Sequence, residues 1–400
     1  MTQYIIIGNG VAANTASENI RKNDKEGAIK MFSMEAVPYY YLPVLPEYLS
    51  GEKKIENMIL HSTSWYENNN IELFLNTEII SIDTAAKQIT SSDSTHHSYD
   101  KLLIATGGYS FVPPITGTDN AGVYSLRTLK DADLIKDKSK TAKNMVLIGG
   151  GLLGLEAGNG IRKIGINITV VEFFPRLLPR QMDSAGAAML QQVMEEMGFN
   201  FYLGAKTKEI KEQENRLSVN LESGEEIPAD MVLVSAGVRP EMKLAKDIGL
   251  ETNLGVKVND QMETGITDIY AAGDLVEHNN RFYGTWPAAM EQGRIAGLSM
   301  SGQKAAYSGT VLSNTLKVVG IDLTASGDID ADNKHESIVI TDNEKNIYRK
   351  LVIDNNIIIG TILFGDITGS DEILKAISSK TDISCFKKEL NKPDFDLTKL

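Results

Sequence analysis

Two short glycine-containing runs carry the chemistry that is plainest in this chain. Gly8, Gly10 and Ala13 make one, and Gly149, Gly151 and Gly154 make the other. In each, the first glycine permits a tight turn and the second lets the backbone approach a bulky anion. The third small residue lets a helix pack closely on a strand. A pyrophosphate seated there faces the free N–H groups at the positive end of the following helix. Each run is also followed by a carboxylate: Glu35 lies 22 residues past Ala13, and Glu172 lies 18 past Gly154. That is where an acid can accept hydrogen bonds from ribose hydroxyls. The alternative, two structural turns in an unrelated α/β protein, requires strand, turn, helix and acid to coincide twice.

The flanking sequence supplies the elements such turns need. Tyr4 to Ile7 reads as a buried strand, Val11 to Lys22 as a helix and Ala28 to Ser33 as a second strand. Tyr99 to Thr106 reads as another strand, and Pro113-Pro114 breaks the chain. A helical stretch from Leu129 to Lys136 then leads into a second copy of the pattern. In that copy Asn144 to Ile148 and Asn167 to Val171 are strands, Leu153 to Ile164 is a helix, and Met231 to Ser235 is a closing strand. Beyond Tyr307 the chain is rich in β-branched residues and ends with a helix from Asp371 to Ser378 and a polar tail.

Bulk properties narrow the function classes. At 400 residues the chain suits two or three domains. A formal net charge of −13 argues against general binding to nucleic acid or anionic lipid, while leaving local basic patches open. No apolar run is long enough to span a membrane, and the N-terminus lacks the pattern of a secretory signal. The one cysteine, Cys385, cannot build an internal disulfide framework. These features fit a cytoplasmic protein, and no metal-ligand set stands out.

Ala105-Thr106-Gly107, the segment Val234 to Pro240, and Thr264 through Tyr270-Ala271-Ala272-Gly273-Asp274 resemble the signatures of FAD-dependent pyridine nucleotide-disulfide oxidoreductases. The resemblance covers nearly the whole chain. It implies two Rossmann-like dinucleotide-binding domains, one inserted in the other, and a smaller C-terminal α+β domain. The expected division is 1–111 with 238–306 for FAD, 112–237 for NAD(H), and 307–400 for the C-terminal domain. By the same resemblance FAD falls to Gly8, Gly10, Ala13, Glu35, Ala105, Thr106, Gly107, Gly273, Asp274, Trp286, Glu291 and Gln292. NADH falls to Gly149, Gly151, Leu152, Leu153, Gly154, Glu172 and Gly237. Asp274 either accepts ribityl hydroxyls or caps the turn after it. Trp286-Pro287 opens a helix whose positive end either faces the flavin or is simply buried with the core. Glu156 matches a family glutamate near nicotinamide and flavin, and equally suits the first turn of its own helix.

Glu172 also bears on the donor. A carboxylate accepts from a 2′-hydroxyl and repels a 2′-phosphate, which favours NADH over NADPH, with Arg176 close enough in sequence to blur the preference. Disulfide-reducing relatives carry one or two cysteines shortly after the first dinucleotide unit, where this chain has Tyr39 to Leu45. Trp286 to Gly293, Leu316 to Asp322, Tyr348 to Leu351 and Gly360 to Asp366 resemble the branch of NADH:rubredoxin oxidoreductase and the flavin portion of the nitrite reductase large subunit. Leu42 replaces the arginine of that branch, and Glu47 a lysine that some relatives hold beside the flavin. The implied activity is transfer of electrons from NADH through FAD to a small carrier such as a rubredoxin or ferredoxin. An NADH oxidase acting on oxygen or a small quinone, and a flavin-bearing subunit or redox-sensing scaffold, remain as alternatives.

Overall fold

The computed structural model describes every residue except 214–215, 311–312 and 393–394, and gives no side chains for residues 313–316. The first parallel sheet runs, edge to edge, through Ile269–Ala271, Lys101–Ile104, Gln3–Ile7, Ala28–Phe32 and Ile71–Phe74. Tyr4, Ile5, Ile6 and Ile7 are all buried, as a parallel sheet covered on both faces requires. The second parallel sheet repeats the plan with Asn200–Leu203, Asn167–Glu172, Asn144–Ile148, Met231–Val234 and Val123–Tyr124. Strand Gly108–Ser110 pairs antiparallel with Val238–Pro240, so the chain leaves the first unit and re-enters it side by side.

Each unit also carries a three-stranded antiparallel layer, 79–98 in the first and 207–229 in the second. The C-terminal region is a five-stranded antiparallel sheet with helix Ser370–Ser379 on one face. The expected strand from Tyr99 to Thr106 is shorter, Lys101–Ile104. Tyr99 instead bonds to the Lys87 carbonyl, and Gly107 turns the chain away at φ +69°.

Three close contacts fix this arrangement, one within the first unit and two between units. Helix Trp286–Met300 lies backbone to backbone on the first cradle helix, Val11–Asn23. A Cβ at Gly293 or Gly297 would come within 2.3 or 2.4 Å of the Ala12 or Ala16 carbonyl oxygen. Helix Leu152–Lys163 touches the short helix Leu45–Ser50 as closely, for a Cβ at Gly160 would lie 2.4 Å from the Pro46 carbonyl oxygen. The C-terminal sheet shares one apolar core with the second unit, where Val318, Leu323, Tyr348 and Phe364 join Leu155, Leu178 and Leu190. Inside that seam Lys350, only 1 % exposed, donates to Asp183 at 3.1 Å and to the Asp330 carbonyl at 2.9 Å. Tyr348 donates to the same Asp183 oxygen at 2.7 Å.

Candidate functional site

The first cradle is shaped by collisions it must avoid. Gly8 sits at φ +118° and its N–H donates to the Phe32 carbonyl at 2.8 Å. Any Cβ there would lie 2.1 Å from the Ala105 carbonyl oxygen, so only glycine fits. Gly10 is different. It begins the helix in an extended conformation, and a Cβ on it would meet nothing within 4 Å. Ala13 is fully buried beneath. The N-cap makes no side-chain hydrogen bond and the first turn holds no acid, so its backbone donors face open space. By contrast, the helices at Leu129 and Ser184 are capped by Thr128 and Asp183. An uncapped, acid-free helix start beside an open glycine fits a pyrophosphate.

Residues far apart in sequence converge here. Gly273, at φ +91°, donates its N–H to the buried Gln292 at 2.9 Å. Asp274 accepts from Arg127 at 2.8 Å, and Arg127 also donates to the Gly108 carbonyl at 3.0 Å. Thr106 Oγ1 donates to the Glu241 carbonyl at 2.8 Å, and a Cβ on Gly107 would face Arg127. Glu35 accepts from the Tyr40 hydroxyl at 2.8 Å and from the Leu129 N–H at 3.4 Å. Burial raises its pKa, partly offset by the Tyr40 bond. Trp286 stacks on Tyr39 with centroids 6.1 Å apart and opens its helix without a side-chain cap or first-turn acid. Glu291 is not gathered in; it forms an ion pair with Arg294 at 2.6 Å.

The second cradle repeats the geometry. Gly149 has φ +112°, donates to the Val171 carbonyl at 2.8 Å and would place a Cβ 2.3 Å from the Ser235 carbonyl oxygen. Gly151 is open, and its helix, starting at Leu152, is uncapped and free of first-turn acid. A Cβ on Gly154 would meet the Ser235 side chain at 2.9 Å. Gly237, at φ +107°, also faces open space. Glu172 is buried and accepts from the Gly150 N–H and, at 2.7 Å, from the Phe174 N–H. Leu153, on the cradle helix, and Phe173 and Phe174, directly after Glu172, stand 50, 63 and 49 % exposed.

Arg176, which the sequence left as a rival influence on the donor, is spent on its own loop. It donates to the Met182 and Pro179 carbonyls, both at 3.1 Å. Glu156 accepts from the Val319 N–H at 2.5 Å, beneath a hairpin turn of the C-terminal sheet. Burial raises the Glu156 pKa, and the charge of Glu47 adds to the shift. Sequence reasoning missed Arg127 and Tyr40. Arg127 meets Asp274 across 147 residues, and no local pattern announces such a partner.

Among the described residues no group of acids, histidines and cysteine could hold a metal ion, and no helix is long and apolar enough to cross a membrane. Comparison with known proteins places this geometry. The pyridine nucleotide-disulphide oxidoreductase pattern matches residues 2–293, and that of the rubredoxin NAD+ reductase C-terminal domain matches residues 313–381. The chain is 36 % identical over 384 residues to a Bacillus subtilis nitrite reductase [NAD(P)H], covering 96 % of this chain and 48 % of that protein. It is 37 % identical over 283 residues to a Pseudomonas putida rubredoxin-NAD(+) reductase, covering 70 % and 74 % of the two chains. The solved NADH:rubredoxin oxidoreductase of Clostridium acetobutylicum superposes with a TM-score of 0.82 at 30 % identity, covering 96 % of each chain. The chain spans about half the length of the nitrite and nitrate reductase relatives it matches.

Proposed function

Because the chain belongs to the pyridine nucleotide-disulphide oxidoreductase family, we propose that it takes electrons from NADH, through FAD, to a small redox carrier protein such as a rubredoxin or ferredoxin. The observation that carries this reading is the pair of open, uncapped glycine cradles, with a third uncapped helix start at Trp286 beside the first. The division 1–111 with 238–306, 112–237 and 307–400 is supported by the paired strands Gly108–Ser110 and Val238–Pro240. A cytoplasmic setting accords with the single cysteine.

Bound FAD would accept a hydride from NADH and pass its electrons onward singly. The chain's own residues do the positioning. The free N–H groups after Gly8 and Gly10 hold the pyrophosphate, with Ala13 beneath and Ala105 to Gly107 as the wall. Glu35 receives the adenosine ribose, and Asp274 the ribityl hydroxyls, aimed by the Gln292 bond to Gly273. Arg127 lends positive charge opposite Asp274. The open end of the Trp286 helix stabilises negative charge that develops on the flavin.

In the second cradle Gly149, Gly151 and Gly154 seat the NADH pyrophosphate, with Leu152, Leu153 and Gly237 along its course. Glu172 accepts from the 2′-hydroxyl, and Phe173 and Phe174 give the adenine an apolar face. Arg176, engaged with the Met182 and Pro179 carbonyls, is turned away from offsetting the repulsion of a 2′-phosphate. Glu156 acts as a positioning residue that ties the second cradle helix to the C-terminal sheet.

A single exposed cysteine cannot supply a redox dithiol, so electrons leave by the flavin route. The half-length match to nitrite reductases favours a second reading, electron delivery within a larger assembly. Among the tail lysines Lys380, Lys387, Lys388 and Lys392, which would attract an acidic carrier, Lys387 is paired with Glu336 and Lys392 with Glu389. Any docking attraction there rests on Lys380 and Lys388, and should fall with salt.

The test is steady-state NADH oxidation against rubredoxin, ferredoxin, dissolved oxygen and a soluble quinone. One carrier should outpace oxygen by at least about tenfold, ~1.4 kcal/mol in the barrier. If oxygen alone sustains turnover as fast as every carrier, the oxidase reading replaces this one.

A further inference from the structure

A histidine outside the functional reading touches the first cradle. Asn14, in the first turn of the cradle helix, is buried, and chemistry fixes the orientation of its amide. Its Nδ2 faces three oxygens: the Asn9 carbonyl at 2.9 Å, the Asn9 side-chain Oδ1 at 3.0 Å and the Gly10 carbonyl at 3.0 Å. A flipped amide would set oxygen against all three. Asn14 Oδ1 therefore faces the Tyr66 hydroxyl at 2.7 Å and His61 Nδ1 at 3.1 Å. His61 Nδ1 must carry a hydrogen.

On the far side of the ring, His61 Nε2 lies 3.2 Å from Glu18 Oε1. A neutral imidazole has one N–H, already directed at Asn14, so a hydrogen bond from Nε2 to Glu18 requires a second proton between ring and carboxylate. Packing keeps the ring in place. It stacks on Trp65 with centroids 3.7 Å apart and meets Tyr39 and Tyr66 edge-on. Burial raises both phenol pKa values, so both stay neutral. Among the described residues, Glu18 is the one charged group with an ion-pair contact to the ring.

We propose that His61 is a positioning residue for the pyrophosphate of FAD, acting through Asn14, and that the proton it shares with Glu18 sets how tightly the first cradle holds the dinucleotide. This rests on the reading of that cradle as the FAD site. Asn14 holds the Asn9 and Gly10 carbonyls, leaving the loop's N–H groups for phosphate oxygens. Loss of the shared proton adds a negative charge beside a dianion and turns a bare nitrogen lone pair on a carboxylate. The ring is then repelled from Glu18 and Asn14 loses a donor. FAD affinity therefore falls as pH rises, and FAD binding in turn favours retention of the proton.

The experiment follows release of FAD from the diluted holoenzyme by the rise in free-flavin fluorescence, from about pH 6 to about pH 9. The dissociation constant of the wild-type protein should rise by about tenfold across that range. Glu18→Gln can accept from or donate to Nε2 without a further proton, and His61→Gln donates to Asn14 without titrating. His61→Gln should give a flat profile and Glu18→Gln a shallower one than wild type, both with unchanged far-ultraviolet circular dichroism. A flat wild-type profile, or a wild-type slope in both variants, overturns the proposal. A protein that retains no FAD at any pH overturns the FAD assignment instead, so the two failures are distinct.

Discussion

The two cradles share the geometry of their first turn, yet they are braced in different ways. Gly8 and Gly149 have φ of +118° and +112°, each donates at 2.8 Å to the neighbouring strand, and each excludes a Cβ by 2.1–2.3 Å contact with a carbonyl. The third position differs because its neighbour does. Ala13 shares an apolar core with Ala105, whereas Gly154 stands over Ser235, whose side chain takes the space of a Cβ. Bracing differs more. In the first cradle a relay of neutral side chains, Asn9, Asn14 and Tyr66, holds the loop. In the second, one buried carboxylate, Glu172, binds the Gly150 N–H directly. The turn is thus fixed by sterics, and the means of holding it is free to vary with the ligand.

The strongest way to break the comparison is to fill each cradle. Gly10→Val and Gly151→Val both put a side chain into open space, so the fold should survive in both. Gly10→Val should purify without flavin. Gly151→Val should keep its full flavin yet be reduced by NADH about 100-fold more slowly, ~2.8 kcal/mol. Flavin loss in the second variant and retention in the first would reverse the assignment of the two sites. Next in size is the seam that joins the second unit to the C-terminal sheet. Lys350→Ala leaves the Asp183 carboxylate buried without its cation and should lower stability by about 3 kcal/mol in urea titration. A change below about 0.5 kcal/mol would show that the Tyr348 bond alone suffices.

Glu172 distinguishes the cradles on a smaller scale. Because it braces the loop as well as facing the ribose, Glu172→Ala should weaken NADH binding by about tenfold, ~1.4 kcal/mol, and narrow the gap to NADPH. Stopped-flow reduction showing NADPH preferred in the wild-type protein would mean that a cation overrides the carboxylate.

Glu156 should give a gentler effect. Its folded pKa is raised by burial, so ionisation works against folding. The stability it favours is present below its ordinary value of 4.5 and is lost as pH rises through the raised value. Glu156→Gln keeps an acceptor for the Val319 N–H without the charge. It should melt higher than wild type near neutral pH and less differently near pH 4; a lower melting temperature at both would show that the charge itself is needed. Smallest of all, Cys385→Ser should leave NADH-driven dye reduction unchanged. A tenfold loss with flavin intact would bring the thiol into the mechanism.

How much of this was legible in sequence follows from the range of each interaction. The duplicated strand–turn–helix was readable because Tyr4 to Ile7 and Met145 to Ile148 are unbroken apolar runs ending at glycine. The placement of Gln292 by Gly273 was foreshadowed only by resemblance, since the two meet through a tertiary hydrogen bond. Glu291 shows the limit: its neighbour turns inward while it pairs with Arg294 on the surface. Lys350 reads as one polar residue in an apolar strand, and its burial depends on Asp183, 167 residues away. The antiparallel layers at 79–98 and 207–229 escaped notice because strands such as Ile79–Asp83 and Thr207–Gln213 carry neither an unbroken buried run nor a clean alternation.

Gly160 has a consequence for how such a molecule can be altered. The carbonyl of Pro46 lies where a side chain at position 160 would begin, so at this point the short helix of the first unit and the cradle helix of the second meet main chain to main chain. Substitution elsewhere can change what each cradle recognises without moving one cradle relative to the other. On the proposed assignment of the cradles, rewriting the segment from Glu172 to Arg180 for another nucleotide should leave the two cradles at their present separation, whereas a single methyl group at position 160 should shift it.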